Sequence, residues 1–223
     1  MRKVGPFRVF DRSEEILNPS HTALLVIDMQ NDFVSPGGHF DRYGKNVSAM
    51  TALVPQMGEF IEQARLANVS PIFIQQYTLP NGRSDSPAWA AFKTRDGKSP
   101  DYATPGTWGH AFIDGIGYKQ GDLRVDKPRP SAFLHTPLDL ILRSMEIKTI
   151  VVIGVTTEGC VESTVRDGSY HGYYVVIVDN LVASSNLDLH EGSLRLMRSR
   201  YLVLGSKGIG RIWEVARHSE PMR

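Results

Sequence analysis

Four stretches of this 223-residue chain are apolar at consecutive positions instead of alternate ones: "ALLVID" (23–28), "SPIFIQQ" (70–76), "KTIVVIGV" (148–155) and "YYVVIVD" (173–179). A strand with one wet face alternates; a strand covered on both faces does not. Between these runs the apolar period changes. Val47, Met50, Val54, Met57, Ile61 and Ala64 recur every three or four residues and predict one amphipathic helix over 46–67. "HTPLDLILRSME" (135–146) opens another, with Thr136 as N-cap, Pro137 at the first helical position and Asp139 in the first turn. Helices are also expected over 160–171 and 188–200, with short strands at 122–127 and 201–206. Doubly covered strands alternating with helices require a parallel sheet in an α/β layer fold.

Length and composition set the remaining bounds. One domain is the default at this size, and the chain is read as a single unit, 1–223, with an N-terminal arm over 1–21. Lys and Arg total 25 against 24 Asp and Glu, a net charge of +1, so charge gives no reason to expect a nucleic acid or an anionic membrane as partner. A lone cysteine makes no internal disulfide, which fits a reducing, cytoplasmic setting. The first 21 residues lack an apolar core of signal-peptide length, and no run reaches the roughly 20 apolar residues of a membrane span. Phe7, Val9 and Phe10 give the arm apolar groups suited to a neighbouring subunit, so a homo-oligomer is expected.

Residues 77–121 break the pattern. They carry Gly, Pro, Asp and Ser, with Trp89 and Trp108 and little periodicity. A long loop inside a compact domain is usually functional, and two tryptophans favour a packed lid or pocket wall.

Parallel sheets bind ligands beyond the carboxyl ends of their strands. Three reactive side chains fall there: Asp28, Lys127 and Cys160. Each has an ordinary role available, as turn cap, solvated lysine or small buried thiol. Together they form a set with a purpose. A nucleophilic cysteine needs a base, positive potential and donors for an oxyanion. Asp28 supplies the base and Lys127 the charge, which is expected to hold a thiolate and a carboxylate side by side.

The stretches "ALLVIDMQNDFVSPGG", "VDKPRPSAF" and "IVVIGVTTEGCVESTVRDGSYHGYYVVIVDN" together resemble the isochorismatase-like cysteine hydrolases, over about residues 22–206. The resemblance implies a three-layer α/β/α sandwich, Rossmann-like, with a six-stranded parallel sheet. It places Asp28, Lys127 and Cys160 on the family's triad. It implies a cis peptide before Thr156, with the Thr156 and Cys160 amides forming the oxyanion hole. Within the family the motifs are most similar to those of ureidoacrylate amidohydrolases and the related biuret and triuret hydrolases.

The function implied is cleavage of a C–N bond in a small amide or ureide through a covalent Cys160 acyl intermediate. Isochorismatase-type vinyl ether hydrolysis and hydrolysis of N-carbamoyl amino acids or maleamate are the alternatives. A thiol-exchange protein or an inactive scaffold are readings from other classes. The segment "FIQQYTLPNGRSDSP" lacks the histidine of the nicotinamidase metal cluster, so neither metal nor cofactor is expected. Gln75, Gln76, Trp89, Lys93 and Trp108 are candidate pocket groups; Arg129 and Lys93 are candidates for a substrate carboxylate.

Overall fold

The structure, a computed structural model, describes residues 1–219, so the last four residues of the expected 1–223 unit lie outside it. Its strands are β1 (Arg2–Val4), β2 (Phe7–Val9), β3 (Thr22–Ile27), β4 (Ser70–Gln76), β5 (Leu123–Lys127), β6 (Thr149–Val155), β7 (Tyr174–Ala183) and β8 (Leu202–Leu204). Its α-helices are α1 (Ser13–Ile16), α2 (Asn31–Val34), α3 (His39–Arg42), α4 (Ser48–Thr51), α5 (Val54–Leu66), α6 (Pro87–Thr94), α7 (Leu138–Ser144), α8 (Glu162–Tyr170), α9 (Leu187–Arg198) and α10 (Ser206–Ser219).

Strands β3 to β8 form one parallel sheet in the order β5-β4-β3-β6-β7-β8. Successive residues point to opposite faces, and both faces are apolar. Leu24, Val26, Phe73, Val151 and Ile153 meet Met57, Phe60 and Ile61 of α5 and Ile209 and Trp213 of α10. Leu25, Ile27, Ile72, Ile74, Val125 and Val152 meet Leu138 and Leu142 of α7, Val165 of α8 and Leu194 and Met197 of α9. This is the expected three-layer sandwich. No helix among the described residues is long and apolar enough to cross a membrane.

Several boundaries differ from the sequence reading. The helix expected over 46–67 is two, α4 and α5, with Pro55 in the first turn of the second. A proline has no N–H for the preceding turn and clashes with it, so the helix restarts there. Helix α7 starts at Leu138, one residue later than expected, and the Thr136 hydroxyl still accepts from the Leu138 amide (3.2 Å). Helix α10 was not anticipated. The insert is ordered around α6, which Ser86 caps by accepting from the Trp89 amide (3.2 Å).

The N-terminal arm folds back on its own body. Strands β1 and β2 form an antiparallel hairpin. Phe10, expected to reach a neighbouring subunit, stacks on His21 at 4.7 Å and packs on Tyr174. Only Val4 and Phe7 of this arm's larger apolar groups after Met1 remain well exposed.

The chain switches direction between β3 and β6, where an open parallel sheet leaves a crevice. Gly154 lets these two strands close up. It has φ +124°, and a Cβ there would lie 2.1 Å from the Ile27 carbonyl oxygen. No other residue fits. The register against β7 shifts just before this position, and the end of β6 then pairs again, Gly154 with Val182 and Val155 with Ala183.

Candidate active site

Asp28 follows the last residue of β3 and has φ 50°, a left-handed conformation that aspartate tolerates better than most side chains. Lys127 ends β5. Both side chains are fully buried, and Lys127 Nζ lies 2.8 Å from Asp28 Oδ2. The ammonium donates to Gln76 Oε1 (2.7 Å) and to the Arg129 carbonyl (3.2 Å). The Asp28 contact is ionic: neither carboxylate oxygen accepts a hydrogen bond of good geometry from the protein, so both keep lone pairs for a proton.

Cys160 arrives from the other side of the crevice. After β6 the Val155–Thr156 peptide is cis, and residues Thr157–Val161 form one π-helical turn that leads into α8. Such wide turns are rare and recur at functional sites. The turn is held from behind: the Thr157 hydroxyl shares a hydrogen bond with His190 Nδ1 (2.7 Å), and Ser193 Oγ donates to the Thr157 carbonyl (3.3 Å). Cys160 is half-buried and in hydrogen-bonding reach of both Asp28 and Lys127.

Burial governs the charges. It pushes the Asp28 carboxyl above its ordinary range, and the Lys127 ammonium offsets this only in part. Burial alone would lower Lys127, but attraction to Asp28 and Cys160 outweighs it and raises that group. Burial, then repulsion from Asp28, pushes the Cys160 thiol up to about 12, against the pull of Lys127. Burial thus disfavours charge on both Asp28 and Cys160, and the Lys127 ammonium favours it on both. Burial and the Asp28 charge oppose the standing thiolate expected from the sequence, and the Lys127 charge supports it.

The other expected residues divide. Gln76 shares the face of Ile72 and Ile74 and reaches Lys127. Gln75 is a correction: strand alternation sends it to the opposite face, where its amide donates to the His110 carbonyl (2.6 Å). Trp108 is also a correction, being exposed, with only its carbonyl engaged, by Asn31 (2.9 Å). Lys93 lies on Asp85 (2.7 Å), both side chains buried, and over the Tyr102 ring at 4.7 Å. Arg129 donates to the Ser84 carbonyl (2.8 Å), lies 3.7 Å from Asp85 and covers the Trp89 ring at 5.2 Å. Residues 84–102 are thereby fastened over the strand end that carries Lys127. Asp85 and Tyr102 were missed by sequence reasoning. Tyr102 lies within the fields of Cys160 and Asp28, and burial raises its phenol.

Residues 22–207 match the isochorismatase domain. This chain belongs to the isochorismatase family. Two of this family member's relatives are named ureidoacrylate amidohydrolase RutB. The one from Methylorubrum extorquens is 36% identical over 185 residues, 78% of this chain and 75% of the relative. The one from Yersinia enterocolitica is 36% identical over 190 residues, covering 79% and 82%. A cysteine hydrolase from Pseudomonas syringae superposes on this family member with a TM-score of 0.79 at 26% identity, covering 89% of this chain and 95% of that one. Among the described residues, no group of three or more His, Cys, Asp or Glu side chains is arranged to hold a metal ion.

Proposed function

We propose that the protein is a cysteine amidohydrolase that cleaves a C–N bond of a small amide or ureide through a covalent Cys160 intermediate. The observation that carries this reading is the buried Lys127–Asp28 pair, 2.8 Å apart, facing the one thiol of the chain. The relatives' name, ureidoacrylate amidohydrolase, supports a C–N bond as the target and an acyclic ureide as the substrate class.

The steps follow from the charges. The thiol proton moves to Asp28 as sulfur attacks the carbonyl carbon, so negative charge shifts from carboxylate to oxyanion while Lys127 stays balanced. The Thr156 and Cys160 amides hold the oxyanion. The C–N bond breaks, Asp28 returns the proton to the leaving nitrogen, and ammonia or an amine departs. Water then gives a proton to Asp28 and adds to the thioester or thiocarbamate carbon. The C–S bond breaks and the proton goes back to sulfur. Gln76 fixes Lys127, and Trp89, Lys93 and Arg129 form the cover that excludes bulk water from the pair.

Catalysis is placed in one unit spanning 1–223, with 77–121 as its lid, working in the cytoplasm, where a lone thiol stays reduced. It is expected to associate as a dimer or tetramer, with exposed Val4 and Phe7 at a subunit contact; light scattering at micromolar concentration checks this, and a monomer would refute it. The function is tested by ammonia release from ureidoacrylate, biuret, triuret, carbamoyl amino acids, maleamate and nicotinamide. Turnover is expected with at least one ureide and is expected to survive exhaustive chelation, because the proposed steps use side chains alone. Silence across the ureides, or loss on chelation with recovery on adding zinc or iron, would overturn the reading.

A further inference from the structure

Strand β3 breaks off at Asp28, and its neighbour β4 runs on to Gln76. Continued past the Ile27–Ile74 pair, the parallel ladder would send the Gln76 amide to the Asp28 carbonyl, and the amide of residue 30 to the Gln76 carbonyl. The left-handed φ of Asp28 prevents this. Its carbonyl accepts instead from the Gln30 amide (2.7 Å), so the two main-chain groups that β3 would have offered bond to each other. Gln76 is buried, and a buried amide and carbonyl left without partners are costly.

The side chain of Gln30 takes up both. Its Oε1 accepts from the Gln76 amide (2.8 Å), and its Nε2 donates to the Gln76 carbonyl (2.9 Å). A carboxamide carries the donor and acceptor of a peptide group, so it stands in for the strand residue that β3 no longer supplies. The second proton of Nε2 goes to the His110 carbonyl (2.8 Å), which also accepts from Gln75 Nε2 (2.6 Å). Gln30 is fully buried, and both of its N–H groups are used. What it clasps matters because Gln76 Oε1 accepts from the Lys127 ammonium (2.7 Å), and that ammonium lies 2.8 Å from Asp28.

We propose that Gln30 is a positioning residue for the reaction: by bonding both main-chain groups of Gln76, it holds the Gln76 side chain on Lys127 and so keeps the ammonium on Asp28. It lets Asp28 leave the strand while the end of β4 stays in line. Its side chain acts at one remove, since its hydrogen bonds go to main-chain groups of Gln76 and His110. Without it, the end of β4 is free to shift, Gln76 Oε1 leaves Lys127, and the buried ammonium loses an acceptor that offsets its burial. Its support for an anion on Cys160 then weakens. The role rests on the amidohydrolase reading, but its readout needs no turnover.

The test is the pH profile of Cys160 alkylation by iodoacetamide, with thermal unfolding measured on the same proteins. Gln30→Leu keeps most of the volume and removes the three side-chain hydrogen bonds. It is expected to alkylate about 10-fold more slowly near neutral pH and to recover about one unit higher, the scale of one hydrogen bond to a charged group. Gln30→Asn keeps the carboxamide but is one methylene short; it should move the profile the same way, and it carries the test if the leucine variant does not fold. Gln76→Leu should reproduce the displacement. Adding Gln30→Leu to it should displace the profile no further, because both act through one contact. Gln75→Leu removes the other side-chain hydrogen bond to the His110 carbonyl and should leave the profile at its wild-type position. Lower thermal stability with an unmoved profile in the Gln30 variants, the mark of a structural role only, would overturn the proposal. So would additive shifts in the double variant, or an equal shift in Gln75→Leu. Ammonia release by the wild-type protein separates the two ideas: turnover with unmoved profiles sinks the role of Gln30 alone, whereas silence across the ureides sinks the amidohydrolase reading.

Discussion

Cys160→Ser is expected to fold normally, bind substrate and lose turnover by at least ~10³-fold. The substitution keeps a proton donor of similar shape beside Asp28 and Lys127. What changes is the cost of moving that proton. The thiol is already pushed up to about 12; a hydroxyl starts several units higher, and each unit costs about 1.4 kcal/mol. Steady-state ammonia release from both proteins measures the loss. With a slow substrate, the wild-type protein should also gain the mass of an acyl group at Cys160. A serine variant of comparable activity would move the chemistry to another residue. A redox role would need a resolving thiol from elsewhere, since Cys160 is the one cysteine of this chain.

Lys127→Met is expected to fold and to lose at least ~10²-fold in activity. The side chain is fully buried, and methionine fills a similar volume. Its charge favours an anion on the Asp28–Cys160 pair, against the burial that disfavours one. Without it, Asp28 takes up a proton and ceases to be a base, and the first ionisation of the pair moves up. A rise of about two units leaves roughly a hundredth of the reactive form. Alkylation of Cys160 by iodoacetamide should therefore slow near neutral pH and recover as pH rises, with Lys127→Arg in between. Superimposable profiles for the three proteins would show that Lys127 does not tune the pair. Stability gives a second readout with a definite sign. In the variant the folded-state pKa of Asp28 lies well above its unfolded value, so the folded protein binds more protons. Its deficit should be small at acid pH and should grow as pH rises past the unfolded value.

The sheet was legible because both of its faces are written into the strands. Residues 150–155 of β6 are all buried, and no half-exposed strand reads that way. Period alone was not enough where single residues carry geometry. The run from Val47 to Ala64 keeps its helical spacing across a break that only Pro55 reveals. Gln75 and Gln76 are adjacent, yet one faces His110 and the other Lys127. The parity was there to be used: Gln76 follows Ile72 and Ile74, while Gln75 follows Phe73. The meeting of Asp28, Lys127 and Cys160 was legible because each ends or follows a strand or lies in the helical segment after one. Asp85 was not, because its significance lies in contacts with Lys93 and Arg129 that no motif announces. The Thr157–His190 hydrogen bond likewise joins positions 33 apart that share no motif.

The fastening of the insert to Arg129 bears on how such proteins can be recombined. Asp28, Lys127 and Cys160 all lie at the carboxyl ends of sheet strands, and the segment fastened beside them is separate and continuous. On the proposed reading, swapping that segment between relatives would exchange selectivity while leaving Asp28, Lys127 and Cys160 in place, with one condition. Arg129 belongs to the sheet side of the seam, two residues beyond Lys127, and its carbonyl accepts from the same ammonium that sits on Asp28. A transplanted segment lacking an acidic group at position 85 would strand the guanidinium and loosen the loop that orients Lys127. The natural splice point thus lies after Arg129 and not before β5.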